Sequence, residues 1–532
     1  MNQTVSLRVL MVTPEIACPT DNMVEGSPSI YARSSSLADI CGSLISSLLE
    51  KNVDVHVVTP HYRRVFNRRE CCVYSGDRMP GTWSERINLA QDRLFYYMKD
   101  IYPDNNHDLV KMSIAFQREV IHRFIPMVQP DVIHCFDAAT GLIPGIARAN
   151  DIPCLFSIRN LYNIKTTLSC IENMGIDCLP FWQTLYYEWM PTDFSQTCDT
   201  NPVDFLASGV FAADYVDTTD ENFLKKLIQN RNGGACEAWQ RELIQKFYAG
   251  FATGIENVPD PSFNPLTDPA LFSPFGSRDH YRKKPYNKLF LQESFNLRMD
   301  SAAPMVISFA DCDVVHPENS ILLRVLMRIL QRFENERLQF VFLGNHKFRH
   351  SVQKILHDHQ LSDRVAIRPC DRRLVRIALG GADFMLDTGF MRTCESASVI
   401  GMRYGVLPIT FASIDADQPV IPLNPNQNTG NGFLFNPFHE DGIVQSMQDA
   451  VFFYLMPQST KSEQIQRIMD QSASDFSKTL QAYRRIYELL LKKSSENRRS
   501  GSISLSQVRR TKSTGRRQKE GGGDARPFSV SQ

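Results

Sequence analysis

Residues 7–13 read Leu-Arg-Val-Leu-Met-Val-Thr, a short apolar run that predicts a buried strand. A helix is predicted next, because apolar residues recur at spacings of three and four from Leu37 to Leu49. Residues 53–58, Val-Asp-Val-His-Val-Val, then predict a second strand. A strand–helix–strand unit with apolar strands indicates parallel strands that are covered on both faces. The start of the chain therefore predicts an α/β fold.

The same alternation continues in two successive sets. Further strands of the first set are predicted at 131–136, 154–158 and 215–218. The second set has predicted strands at 305–309, 339–343, 365–368, 384–386 and 406–410, with a helix at 320–333. Two such sets predict two Rossmann-like, doubly wound domains that face each other across a cleft, where α/β folds bind ligands.

Changes in composition divide the chain into four predicted parts. A segment rich in Pro and Asn near residues 256–287 marks the domain boundary. We therefore expect an N-terminal Rossmann-like domain at 1–258, a linker at 259–300, a C-terminal Rossmann-like domain with closing helices at 301–493, and a tail at 494–532. The tail is rich in Ser, Gly, Arg and Lys, which predicts disorder. It is either a solvated end or an electrostatic tether to nucleic acid, membrane or an acidic protein partner.

Bulk composition restricts the class of protein. The 532 residues have a formal net charge of zero, which gives no overall attraction to nucleic acid or anionic lipid. The 13 cysteines are scattered without a Cys-x-x-Cys motif, which favours a reduced, cytoplasmic protein over a disulfide framework or a zinc site. No run approaches the ~18 apolar residues of a membrane span. The first residues lack the pattern of a secretory signal peptide.

Short motifs spread over residues 8–435 carry a resemblance to a known family. They lie at 9–15, 36–40, 130–137, 263–269, 381–383, 402–405 and 429–435. In this order and at this spacing they resemble the motifs of bacterial glycogen synthase and plant starch synthase. The resemblance implies a glycosyltransferase of the two-Rossmann, B type. It further implies transfer of glucose from ADP-glucose to the end of an α-1,4-glucan, without a metal cofactor.

The resemblance also assigns the candidate site residues. Family-equivalent catalytic positions are His134, Asp137 and Arg159, and donor-binding positions are Arg33, Ser35, Ser36 and Arg392. In the family the phosphate loop begins with Lys and contains two glycines. Here Arg33 keeps the charge, whereas Ser35 and Ser36 make positive φ costly. The alternative interpretation of Arg33 is an exposed loop residue without a ligand.

Two retained first-domain residues have structural explanations as well as catalytic ones. His134 lies within a predicted strand, so a packed strand residue is an alternative to a catalytic base. Asp137 ends that strand, and its carboxylate could cap the following helix. Arg159 stands where the resemblance places a histidine.

The second domain departs most clearly from the family pattern. Segment 308–315 stands at the family's phosphate clamp, with Phe309 and Val314 at the Arg and Lys positions. Asp311 and Asp313 lie in the same segment, so a diphosphate would meet carboxylates and apolar groups. Each lost charged hydrogen bond costs roughly 1.5–3 kcal/mol. The sequence therefore predicts weak stabilisation of the leaving diphosphate.

The family's glutamate beside the donor glucose is also absent, since its position is Met391 or Arg392. Two interpretations remain open. In the first, the family reaction is lost or strongly impaired, and the protein binds an α-glucan, a sugar nucleotide or a protein partner in a regulatory role. In the second, it is an active glycosyltransferase whose donor site is rebuilt from Arg33, Arg159 and Arg392.

Overall fold

Two parallel β-sheets organise the molecule. The structure is a computed structural model that describes residues 7–17, 31–32, 36–51, 53–62, 87–97, 106–229, 238–256, 262–310, 317–335, 337–344, 361–369, 372–387, 397–412, 420–436, 440–472 and 477–493. Donor-binding candidates Arg33, Ser35 and Arg392 and the tail after residue 493 lie outside this part of the chain, as does the Ser36 side chain. Within it, no helix is long and apolar enough to span a bilayer.

The first sheet has seven strands in the order β11-β10-β7-β6-β1-β4-β5. Two short two-stranded ribbons, β2 with β3 and β8 with β9, lie outside this sheet. The strands of the sheet and of the ribbons are β1 (Arg8–Val12), β2 (Ile16–Ala17), β3 (Tyr31–Ala32), β4 (Asp54–Pro60), β5 (Ile87–Ala90), β6 (Val132–Phe136), β7 (Cys154–Ile158), β8 (Lys165–Thr166), β9 (Val203–Asp204), β10 (Tyr215–Thr218) and β11 (Ala252–Gly254). All neighbours within the seven-stranded sheet are parallel. The predicted α/β fold is confirmed.

Helices cover both faces of this sheet, because its strands are apolar throughout. Their bounds are Ser36–Glu50, Arg93–Tyr97, Asn106–Glu119, Ile125–Val128, Ile143–Ala149, Leu168–Asn173, Phe194–Thr200, Phe205–Ala212, Glu221–Gln229 and Ala238–Tyr248, with a π-helical turn at Val120–Phe124. Leu37, Cys41 and Leu44 of the first helix are buried, as the spacing predicts.

The second sheet has six parallel strands in the order β14-β13-β12-β15-β16-β17. The strands are β12 (Met305–Ala310), β13 (Gln339–Gly344), β14 (Val365–Arg368), β15 (Phe384–Asp387), β16 (Leu407–Phe411) and β17 (Phe433–Phe435). Its helices are Pro317–Arg332, Arg372–Gly381, Ala397–Arg403, Glu440–Tyr454 and Gln458–Ser472. The five predicted strands lie within one residue of their observed bounds.

A helix also forms inside the segment predicted as a linker. It spans His280–Phe295, and its Leu291 and Phe295 join the buried cluster that contains Met305 and Ile307 of β12. The helix lacks a regular apolar stripe because much of its buried face is polar. These buried polar residues are His280, Lys284, Asn287, Lys288 and Gln292.

The last described helix, residues 477–493, follows the second domain in sequence but packs on the first. Tyr483, Ile486, Tyr487 and Leu490 belong to the buried cluster of the seven-stranded sheet. We call this helix the closing helix. It therefore brings side chains from the end of the described chain to the first domain.

Candidate active site

The candidate residues of the first domain lie at the carboxyl ends of neighbouring strands. Asp137 follows β6, Arg159 follows β7, and Asp217 lies in β10. Since β1 lies between β4 and β6, the chain reverses its direction of progress across the sheet beside β1. Ligands of doubly wound folds bind at such a switch point, so the predicted residues converge where the topology favours a site.

Asp137 has a strained main chain and a fully hydrogen-bonded carboxylate. Its φ of 59° lies in the left-handed region, with ψ at 178°. Oδ1 accepts hydrogen bonds from the main-chain N–H groups of Arg159 (2.6 Å) and Asn160 (3.1 Å), and Oδ2 accepts one from Asn160 Nδ2 (2.9 Å). The predicted helix cap is wrong, because this carboxylate bonds to the loop after β7 instead of to the turn that follows it.

Burial dominates the electrostatics of Asp137. It raises the pKa of the Asp137 carboxyl to about 7, although the N–H donors of Arg159 and Asn160 and the Arg159 charge oppose that change. A carboxyl that exchanges its proton near neutrality, on a strained main chain, is the kind of group found at active sites.

Arg159 forms a buried ion pair. Its Nη2 donates to Asp217 Oδ2 and to the hydroxyl of Tyr483, and the exposed fractions of the Arg159 and Asp217 side chains are 3% and 0%. Burial alone would lower the pKa of Arg159, but Asp217, Tyr483 and Asp137 raise it above its ordinary value. Arg159 therefore stays charged and is neutralised inside the protein.

His134 continues this polar network towards the closing helix. Its Nε2 lies 2.7 Å from Ser157 Oγ and its Nδ1 lies 2.9 Å from the hydroxyl of Tyr487. Because Ser157 donates its only hydroxyl proton to Asp217, it accepts from His134, so the proton of the imidazole is on Nε2. Burial, with the Arg159 charge, lowers the pKa of His134 well below its usual value.

The closing helix seals this network. Tyr483 accepts from Arg159 and donates to Asp217 Oδ2 at 3.1 Å, while Tyr487 pairs with His134. Both tyrosines are at most 1% exposed. The structure thus brings the three family-equivalent positions close together, but His134 and Arg159 are hydrogen-bonded to other protein groups.

Sequence reasoning missed Asp217, Ser157 and the two tyrosines. Asp217 is a charged residue inside an otherwise uncharged strand, which is an available but weak signal. Tyr483 and Tyr487 are four residues apart and so share one helix face. Neither signal indicates that the two elements meet, because Asp217 and Tyr483 are 266 residues apart.

The described part of the second domain contributes one altered position. Phe309, which stands where the resemblance places an arginine, packs against the buried cluster of that domain. Ser308 beside it donates to the Leu386 carbonyl at 2.9 Å. The positions of Asp311, Asp313, Val314, Met391 and Arg392 lie outside the described residues. Among those described, no group of three or more His, Cys, Asp or Glu is placed to hold a metal ion.

Comparison with known proteins agrees with the resemblance carried by the sequence motifs. Residues 8–242 match the family model described as the starch synthase catalytic domain. Glycogen synthase of Moorella thermoacetica is 23% identical, over 94% of this chain and 99% of that protein. Glycogen synthase of Lactobacillus acidophilus is 26% identical, over 87% of this chain and 97% of that protein.

Over nearly its whole length the chain is similar to glycogen synthases, and its first half is similar to the starch synthase catalytic domain. The identities of 23–26% show that it diverges strongly from these relatives. The catalytic domain of starch synthase IV from Arabidopsis thaliana, described as bound to ADP and acarbose, superposes with a TM-score of 0.66. The superposition covers 92% of this chain and 100% of the starch synthase chain, at 20% identity. It shows that the fold is that of B-type glycosyltransferases.

Proposed function

We propose that this family member has lost, or retains only weakly, the transfer of glucose from ADP-glucose, and that it acts in glucan metabolism by binding. The observation that carries this proposal is the Arg159–Asp217 ion pair. A cation that is to meet a diphosphate must be free to leave its protein partner. Arg159 is neutralised by Asp217, bonded to Tyr483 and only 3% exposed.

The second domain supports the same proposal. A donor diphosphate without a metal ion requires arginine, lysine and main-chain N–H groups around the leaving group. Phe309 occupies an arginine position of the family and packs into the domain core instead. The sequence supplies Val314 at the lysine position and no carboxylate at 391 or 392.

The remaining role, we propose, is to bind an α-glucan or to regulate an active synthase in the cytoplasm. The whole fold is retained, including both sheets and the closing helix. All six cysteines in the described part of the chain are free thiols, which agrees with a reducing compartment. The basic tail is a candidate contact for a protein partner, through its pairs of arginines.

Transfer of labelled glucose to glycogen tests the proposal. The purified full chain would receive ADP-glucose and, in parallel, UDP-glucose, with an active glycogen synthase as the positive control. We expect no incorporation above a heat-treated sample, together with retention of the protein on glycogen. Clear turnover would show that the donor site has been rebuilt.

An active synthase is the second candidate function. It is favoured by the curated relatives, which are named glycogen synthase and align with 80–94% of this chain. Its donor site would use Arg33 and Arg392 together with Arg159. Replacing Arg33 and Arg392 by alanine should then weaken donor binding, and unchanged affinity would eliminate this candidate.

A further inference from the structure

Three aromatic side chains, two of them exposed and one half-buried, lie on or beside the helix His280–Phe295. Phe272 and Tyr286 are 66% and 57% exposed. Phe290 stacks on Phe272, with ring centroids 5.8 Å apart and an interplanar angle of 30°. Tyr286 and Phe290 are four residues apart and therefore share one face of the helix. We call Phe272, Tyr286 and Phe290 the aromatic strip.

The aromatic strip is held in place by a buried amide. Asn287 is 1% exposed, its Oδ1 accepts from the Ser273 N–H at 2.9 Å, and its Nδ2 donates to the Ser273 carbonyl at 2.7 Å. These two bonds fix the loop that carries Phe272 to the helix that carries Tyr286. A surface that is already ordered loses little conformational entropy when it binds a ligand.

The aromatic strip is too small for a stable protein interface. An aromatic side chain has about 150–250 Å² of surface. Phe272 and Tyr286 together therefore offer roughly 200–300 Å² of exposed surface, against the ~800 Å² per partner of a stable interface. A ligand that contacts this surface with a few sugar rings would cover an area of this size. Phe272 and Tyr286, which lie on either side of Phe290 in the aromatic strip, are nevertheless candidates for a binding role because both are exposed on an ordered surface.

The groups beside the aromatic strip favour an uncharged ligand. Arg282 and Glu293 are exposed on the same face of the helix, so their opposite charges give no net attraction to a polyanion or a basic peptide. They provide hydrogen-bond donors and acceptors next to the rings, as does the Tyr286 hydroxyl. A glucose unit presents C–H groups on its faces and hydroxyls around its edge, which complements this arrangement.

We propose that the aromatic strip binds an α-1,4-glucan chain, with Phe272 and Tyr286 stacking on successive glucose units. This site rests on the proposed glucan-binding function and gives it a location. It lies on the outer surface of the segment 262–295, apart from the Arg159–Asp217 network. Glucan would therefore bind here whether or not glucose transfer occurs.

Affinity electrophoresis of the full chain in native gels that contain glycogen or amylose tests the site. Wild type should be retarded as the glucan concentration rises. The double variant Phe272→Ala/Tyr286→Ala should bind at least about tenfold more weakly, a loss of ~1.4 kcal/mol. The double variant Phe272→Tyr/Tyr286→Phe keeps both rings and should bind like wild type.

Tyr248→Ala is the matched control, since Tyr248 is a 77% exposed aromatic residue on the first domain. It should leave retardation unchanged. If the Phe272→Ala/Tyr286→Ala variant is retarded like wild type, the strip is not the glucan site, while the proposed function stands. If wild type itself is not retarded, both are overturned. If the wild-type chain is a dimer that the same variant converts to a monomer, the occupant is a second copy and the glucan assignment fails.

Discussion

Two buried arginine–aspartate pairs, one in each domain, differ in how completely their arginines are bonded. Arg376 of the second domain donates to Asp268 Oδ2 (2.9 Å), to the Ser262 carbonyl (2.5 Å) and to Ser262 Oγ (2.6 Å), and its guanidinium lies 4.2 Å from the Phe263 ring centroid. Arg159 uses Nη2 alone. Its Nε and Nη1 are buried without a hydrogen-bond partner in the described structure.

This difference bears on the role of each ion pair. Arg376 and Asp268 fasten the segment 262–268 to the second domain, and the Tyr404 hydroxyl also donates to Asp268. Both Nη atoms of Arg376 have partners, and only its Nε is buried without one in the described structure, as expected of a mainly structural contact. Arg159 lies at a position that the family uses for chemistry. Asp217 neutralises its charge, but only one of its three guanidinium nitrogens is hydrogen-bonded.

Removing one partner of either pair should have the largest effect. Asp217→Ala and Asp268→Ala each leave a buried guanidinium without its counter-ion, so we expect losses of about 3–5 kcal/mol in the free energy of unfolding. Urea unfolding would measure this loss. Arg328→Ala, which breaks an exposed pair with Asp441, is the control and should change the stability much less, because water and salt screen exposed pairs. Equal effects of all three would refute the burial argument.

Removing both charges of a pair at once should affect stability differently in the two domains. Arg159→Met with Asp217→Asn removes both charges. The asparagine oxygen can accept from Ser157, and its NH2 group can donate to the Tyr483 hydroxyl, which no longer receives a hydrogen bond from Arg159. We expect this double variant to recover most of the unfolding free energy that a single substitution in the pair loses. The coupling energy between the two sites should be roughly 2–3 kcal/mol.

The corresponding variant Arg376→Met with Asp268→Asn should recover less. It leaves both oxygens of Ser262 without their donor and removes the cation from Phe263. The comparison requires both double-mutant cycles under the same urea conditions. Full recovery in the second domain, or none in the first, would mean that the two pairs are equivalent.

The tyrosines of the closing helix should contribute unequally. Tyr483→Phe removes a hydroxyl that bonds to two charged groups, so we expect a loss of roughly 1.5–3 kcal/mol. Tyr487→Phe removes one bond to a neutral imidazole and should cost about 0.5–1.5 kcal/mol. Thermal unfolding of the two variants measures the difference. A larger loss in Tyr487→Phe would place the main contact of the helix at His134.

Asp137 should give an effect that is visible as a pH dependence of stability. Its folded-state pKa of about 7 lies above that of an unfolded aspartate, so the folded form binds the extra proton between those values. Its contribution to stability is therefore present at low pH and is lost as pH rises towards 7, by up to ~1.4 kcal/mol per pH unit. Asp137→Asn should remove this slope between pH 5 and 7. An identical slope in both proteins would assign the titration to another group.

Strands were predictable where local sequence decides the structure. Short, mostly apolar runs such as Cys154–Ile158 and Val365–Arg368 predict buried strands of a parallel sheet, and both match their predicted bounds. The helix His280–Phe295 was not predicted because its inward face is polar. Lys284 Nζ reaches the Tyr404 carbonyl at 2.7 Å, and burial lowers the pKa of that lysine to about 7.

The candidate site was only partly predictable for a related reason. His134, Asp137 and Arg159 follow from the order of motifs, which places them at the ends of neighbouring strands. What neutralises Arg159 depends on β10 and on a helix that returns from the far end of the described chain. Contacts between such distant segments leave no periodic or spacing signal in one sequence.

Titration of ADP-glucose into the wild-type protein by calorimetry tests the central claim most directly. The claim is that Asp217 and Tyr483 of the closing helix bind the Arg159 guanidinium, so that it does not bind a donor diphosphate. If Arg159 is committed to Asp217, binding should be no tighter than a Kd of ~1 mM, or about 4 kcal/mol. Micromolar binding, with a Kd that weakens in Arg159→Met while Arg376→Met leaves it unchanged, would show that Arg159 serves the donor and would contradict the proposed loss of chemistry.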